Sequence, residues 1–187
     1  MVDHERLKAV YPQYDEMKAH EEYVQYAQDL LDCFGALKYS SALEIGFENG
    51  VSATAILHCQ PTALLVSVDV RPTTAGHRYL EQRLDLMERL TFACMPSDRL
   101  WSRVGVKDLI YVDGDHGYEG CLRDVWNGWA KLAPGGTLVM DDTTHHLNER
   151  EGGYGCKKVA EQMQIHFKDQ IKEAKMVGRL FQVVKNG

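Results

Sequence analysis

Five short runs, Ser41–Ile45, 64–70, 90–94 (LTFAC), 108–113 (DLIYVD) and 137–142 (TLVMDD), are rich in apolar strand formers, and stretches of helical spacing separate them. Strands of that kind are buried on both faces, and strand–helix alternation makes a parallel sheet covered by helices on both sides. The intervening helices are predicted over 17–34, Val51–Cys59, 75–89, 120–132 and 156–170. In the first of these, Val24, Ala27, Leu31 and Phe34 recur at helical spacing and Gly35 stops the run. Pro134-Gly135-Gly136 reads as a turn, and the tail reads as a hairpin through Gly178. The fold class expected is α/β: a doubly wound, mostly parallel sheet with a C-terminal antiparallel hairpin. No internal repeat or low-complexity stretch interrupts it. The expectation is therefore one domain, 1–187, with an N-terminal helical segment (1–39) and a core (40–187).

Bulk chemistry excludes several roles. A formal charge of −6, with no block of Lys or Arg, argues against a nucleic-acid surface. No apolar run approaches the ~18 residues of a membrane span, and MVDHERLKAV has no signal-like apolar core. Five scattered cysteines without a C-x-x-C pair suit reduced thiols in a cytoplasmic protein.

Ligands of such sheets bind beyond the carboxyl ends of the strands. Those ends carry Glu44 with Gly46, then Asp69, Ser97, Asp113, and Asp141 with Asp142. Any one of them could be a turn residue or helix cap; five together point to a site. In ALEIGFENGVSAT, Gly46 permits a tight turn with positive φ and Gly50 a close approach by a ligand. The following helix offers free N–H groups to a carboxylate or phosphate. The spacing is not the dinucleotide fingerprint, since Glu48 stands where a glycine belongs, which makes a nicotinamide oxidoreductase a distant alternative. Asp69 can accept both hydroxyls of a ribose, and Glu44 would repel pyrophosphate but attract an amine.

In EIGFENGVS, SVDV, PSD, YVDGDHGYEG, APGGTLVMDD and GRLFQVVK, taken in this order, the chain resembles class I S-adenosylmethionine-dependent methyltransferases. Within these it is similar to the small O-methyltransferase branch of the catechol, caffeoyl-CoA and macrolide-sugar enzymes. The resemblance spans about residues 40–187 and implies a Rossmann-like core. It assigns S-adenosylmethionine to Glu44, Gly46, Phe47, Gly50, Ser52, Asp69, Ser97 and Asp113. Ser52 would touch the methionine carboxylate, Asp69 the ribose, and Ser97 the adenine side. Met95-Pro96 replaces the glycine common before that serine, which leaves the adenine contacts the least secure.

Three carboxylates converging at the ends of neighbouring strands require either raised pKa values or a cation. Oxygen ligands in this number favour Mg²⁺, and the resembled branch places that ion at the positions of Asp113, Asp141 and Asp142. Where the branch has a proton-abstracting Lys, this chain has His116, an imidazole suited to general-base work at neutral pH. Asp113 and His116 are thus the expected catalytic pair, although His116 could instead be a hydrogen-bonded loop residue. Asp115 either orients His116 or caps the next helix. In the 143–155 loop, His145, His146 and Tyr154 either face the acceptor or decorate a solvated lid. Trp101, Trp126 and Trp129 read as core. The expected reaction is methyl transfer to the hydroxyl of a small molecule, with a homodimer plausible. Transfer to nitrogen or carbon without metal, or a non-catalytic binding module, are the alternatives.

Overall fold

A computed structural model describes residues 2–71, 80, 82–149 and 153–187. Helices α1 (His4–Val10), α2 (Tyr14–Met17) and α3 (Glu21–Gly35) precede strand β1 (Ser41–Ile45) and helix α4 (Val51–Cys59). Then follow β2 (Leu64–Asp69), α5 (Leu84–Met87), β3 (Leu90–Cys94), β4 (Lys107–Val112), α6 (Tyr118–Lys131) and β5 (Leu132–Met140). The chain closes with α7 (Cys156–His166), β6 (Ile171–Val177) and β7 (Leu180–Lys185).

The strand order is β3-β2-β1-β4-β5-β7-β6. Pairing is parallel from β3 to β5 and antiparallel at β5–β7 and β6–β7, as the sequence predicts. After β1 the chain winds outward through β2 and β3, then returns to the other side of β1 for β4 and β5. The crevice between the ends of β1 and β4 is therefore the switch point, where such sheets bind ligands.

Side-chain alternation along each strand divides the core in two. On β4, Leu109 and Tyr111 join Leu30, Leu31, Phe34 and Ile56 beneath α3 and α4. Their neighbours Ile110 and Val112 join Val125, Trp129 and Met163 beneath α6 and α7. Trp101 and Trp129 are buried in that second cluster and Trp126 packs at its edge, in keeping with the core reading.

Boundaries shift for local reasons. Residues 14–17 form a short helix of their own, so the predicted 17–34 helix begins at Glu21, and α1 was not foreseen. The predicted turn at 134–136 is instead an irregularity inside β5. The β4 pairing steps from Lys107↔Leu132 to Leu109↔Thr137, with Gly135 at φ 75°. Of the helix expected over 75–89, residues 75–79 and 81 lie outside the described residues. Among the others, only Leu84–Met87 is helical. The predicted 156–170 helix ends at His166 and gives way to a 3₁₀ turn, Lys168–Gln170.

Candidate active site at the strand ends

Gly46 ends β1 with φ 92°, and a Cβ there would fall 2.0 Å from the Asp113 carbonyl oxygen. Only glycine lets the β1 loop and the β4 end lie so close. Gly50 (φ 84°) then starts α4 with no side chain capping it, which leaves first-turn N–H groups available to a ligand.

Glu44 is fully buried beneath this loop and accepts hydrogen bonds from the hydroxyls of Ser52 (2.5 Å) and Ser67. Burial outweighs those two donors and pushes its carboxyl up to about 8. Both oxygens thus accept from protein hydroxyls. Asp69 is its opposite. Burial would raise its pKa, but N–H groups of Glu48 (3.0 Å), Arg71 (2.9 Å) and Phe47 (3.0 Å) hold it below the usual range. A carboxylate offers about four lone-pair sites, so acceptor capacity is left for a hydroxyl. The Phe47 ring is buried against Phe92, with centroids 5.1 Å apart. Ser97 donates its hydroxyl to Asp124 on α6 (2.7 Å), so the residue expected at the adenine side points its Oγ into the protein.

Beyond β4 and β5 the arrangement is denser. His116 Nε2 lies 3.3 Å from Asp113 Oδ1 and 3.3 Å from Asp142 Oδ2. The hydrogen bond to Asp113 outweighs burial and pushes the His116 imidazole up to about 9. Asp113 itself is pushed up to about 7 by burial and by the Asp141 charge. The two values describe one shared proton; His116 holding it is the assignment that two flanking carboxylates support. Asp115 accepts from the Gly117 N–H (2.9 Å) in an Asx turn just ahead of α6, whose first turn no side chain caps.

Four groups here carried no signal as site residues in the sequence. The Tyr26 and Tyr111 hydroxyls lie 2.8 Å apart; Tyr26 is 3.1 Å from Asp113 Oδ2, and Tyr111 is 3.2 Å from Asp113 Oδ2 and 3.1 Å from Asp141 Oδ2, with one proton for whichever acceptor it serves. Burial raises both phenols well above their usual range, so they stay protonated as donors. Arg179 Nε donates to Asp141 Oδ1 (2.7 Å) and its Nη2 to Asp142 Oδ1 (2.6 Å). The fourth is Thr143, buried beside Asp142, whose hydroxyl has no partner among the described residues. Tyr154, for which the sequence offers acceptor contact or a solvated loop, has its ring 4.5 Å from that of His116 and stacks on His145 at 4.7 Å. His146 is exposed.

Of the three aspartates expected for Mg²⁺, Asp113 and Asp142 lie with His116 in one close group, and Asp141 adjoins Asp142 at the end of β5. Asp141 accepts from Arg179 and from the Asp142 N–H, and the Tyr111 hydroxyl lies within its reach. The atoms that gather, within 4.8 Å of one another, belong to Asp113, His116 and Asp142, and Arg179 already holds the other Asp142 oxygen. Arg179, and His116 when protonated, place positive charge beside these carboxylates. Asp142 has φ 56°, unusual for a residue other than glycine, and this conformation aims its two oxygens at different partners. An apolar groove between α6 and α7, lined by Leu122, Trp126 and Ile165, includes none of these residues.

A family model described as a methyltransferase domain matches residues 43–143, more than half the chain. Solved structures share the fold. An O-methyltransferase from Bacillus cereus in complex with SAH is 14% identical, with a TM-score of 0.63 over 86% of this chain and 80% of that one. A SAH-bound methyltransferase from Podospora anserina is 19% identical, with a TM-score of 0.65 over 98% and 86%. The N-methyltransferase NodS from Bradyrhizobium japonicum is 20% identical, with a TM-score of 0.61 over 87% and 96%. Comparison with curated proteins finds no match.

Proposed function

This chain belongs to the methyltransferase-domain family, and on that premise we propose that it moves the sulfonium methyl of S-adenosylmethionine onto a hydroxyl of a small molecule. The observation that carries the hydroxyl reading is His116 Nε2, flanked at 3.3 Å by Asp113 and Asp142 at the switch point beside the glycine loop. In its neutral form the imidazole takes the acceptor's O–H proton, and the two carboxylates stabilise the imidazolium that forms. The freed oxygen lone pair attacks the methyl carbon in line, the C–S bond breaks, and its electrons stay on sulfur. Tyr26 and Tyr111 keep Asp113 in place as this happens.

On the donor side, the open first turn of α4, with Ser52, takes the methionine carboxylate. Asp69 takes the ribose, while Gly46 and Gly50 let the loop pass close beneath. Glu44 supports this through Ser52, and Phe47 supports it as a packed ring whose N–H fixes Asp69. Ser97 contributes through its backbone at the adenine side. Residues 1–187 act as one domain, since Tyr26 of α3 and Arg179 of the hairpin reach the same cluster. A cytoplasmic location accords with five free cysteines, and no described helix is long and apolar enough to cross a membrane. A homodimer closing the acceptor side completes the proposal; sedimentation velocity checks it.

Magnesium is the second reading of the cluster, favoured by the single observation that Asp113, His116 and Asp142 offer close ligand atoms. No step above depends on it. The proposal is tested by calorimetry with S-adenosylmethionine, then by release of S-adenosylhomocysteine with panels of phenols, sugars and amines, with and without chelator. Binding, with turnover on hydroxyl compounds only, is expected. Turnover confined to amines would replace it with nitrogen methylation. Binding with no turnover on any panel would leave a non-catalytic module.

A further inference from the structure

We infer that Arg179 is the resident cation of the acceptor rim: its guanidinium holds the places on Asp141 and Asp142 that a divalent ion would need, so the rim works without one. The inference deepens the methyl-transfer reading and rests on it, yet the measurement below uses neither donor nor acceptor.

Several independent contacts deliver this side chain. The register Val177↔Leu180 makes Gly178 and Arg179 the two-residue tip of the β6–β7 hairpin. Gly178 has φ 57°, and a Cβ there would fall 2.1 Å from the Asp29 carboxyl carbon, so the tip sits directly on α3. Asp29 accepts the Arg179 N–H (3.1 Å) and is steadied by Gln25 (2.8 Å). The guanidinium then lies over the Tyr26 ring, 4.6 Å from its centroid. Backbone, ring face and two carboxylates thereby fix one orientation of the fork.

That orientation works against a metal chemically. Arginine keeps its charge under any ordinary condition and spans two carboxylates with directed N–H bonds. Its Nε and Nη2 are spent on Asp141 Oδ1 and Asp142 Oδ1. A divalent ion bound to Asp142 Oδ2 would lie beside this fixed positive group and share a carboxylate with it. Asp141, the second acid at the end of β5, accepts from Arg179 and from the Asp142 N–H at Oδ1, and the Tyr111 hydroxyl lies within reach of its Oδ2. The cluster thus carries its counter-charge in the covalent chain, and Arg179 acts on the acceptor by holding Asp142 against His116. It is a positioning residue.

Titration with Mn²⁺, followed by the paramagnetic resonance of the free ion, tests this directly. Wild-type protein should show no saturable site at the rim, and Arg179→Lys, which keeps a positive charge, should show none either. Arg179→Met should gain a site stronger by roughly tenfold or more, because the like charge is gone and two carboxylates are left uncompensated. Adding Asp142→Asn should abolish that gained site. A wild-type Mn²⁺ site that Asp142→Asn removes would overturn the inference, as would a folded Arg179→Met protein that binds no better than wild type. If Arg179→Met unfolds, the wild-type, Arg179→Lys and Asp142→Asn titrations still decide. A merely structural arginine would not alter cation affinity. Failure of the methyl-transfer reading would instead appear as absent S-adenosylmethionine binding, with these titrations unchanged.

Discussion

The two halves of the strand-end crevice satisfy their acids in different ways. On the donor side, Glu44 and Asp69 are held by serine hydroxyls and backbone N–H groups that lie 2 to 23 residues away. On the acceptor side, Asp113, Asp141 and Asp142 are held by His116, by tyrosines and by an arginine, some reaching across 87, 38 and 37 residues. Neutral local donors build a fixed cradle that a cofactor can enter without reorganisation. Charged remote partners build a cluster whose proton and charge can move. On the proposed reading, binding belongs to the first half and proton transfer to the second.

The largest effect that would break this division is expected from His116→Ala. Turnover should fall about 10²–10⁴-fold, the usual worth of a positioned base, while cofactor affinity stays unchanged by calorimetry. An equal loss in both would show that the halves are not separable. Next comes Gly46→Ala, at the seam between them. A Cβ 2.0 Å from the Asp113 carbonyl, at a φ of 92°, should cost roughly 2–4 kcal/mol in the denaturant midpoint and weaken both functions together. Asp69→Asn should weaken S-adenosylmethionine binding about 10–100-fold, the worth of one or two charge-assisted hydrogen bonds, with kcat at saturating donor nearly intact.

Smaller effects sharpen the contrast through pH. His116 must be neutral to act, so kcat/KM should rise with pH along a limb near 9 rather than near 6.5. Asp113→Asn should bring that limb down, since the hydrogen-bonding carboxylate is the main cause of the shift. Glu44 gives the last test. Its folded pKa, about 8, lies above the ordinary 4.5, so the folded state holds the proton more tightly. The associated stability is complete below 4.5 and is lost as pH rises through about 8. Glu44→Gln should therefore unfold later than wild type at pH 9 while losing that advantage near pH 5, by thermal melts at each pH.

Much of the donor half was legible in the chain itself. Gly46, Gly50 and Asp69 announce themselves because a glycine with positive φ and an acid at a strand end have few other uses. The direction in which Ser52 and Ser97 point was not legible. Each hydroxyl turns to a buried acid, Glu44 or Asp124, whose nearness depends on how α4 and α6 pack on the sheet. On the acceptor half, Asp113, His116, Asp141 and Asp142 were visible as residues but not as a charge balance. Arg179 lay in a tail that reads only as a hairpin, and Tyr26 lay off the apolar stripe of its helix.

Local patterning therefore determined the order of strands and helices, the rim on which they end, and the acids that stand there, because burial on two faces and turn geometry are written in neighbouring residues. Tertiary structure alone decided which cation answers those acids. That choice depends on the hairpin tip seating on Asp29 and the guanidinium lying over Tyr26, contacts between residues 150 and 153 positions apart that no short-range periodicity encodes.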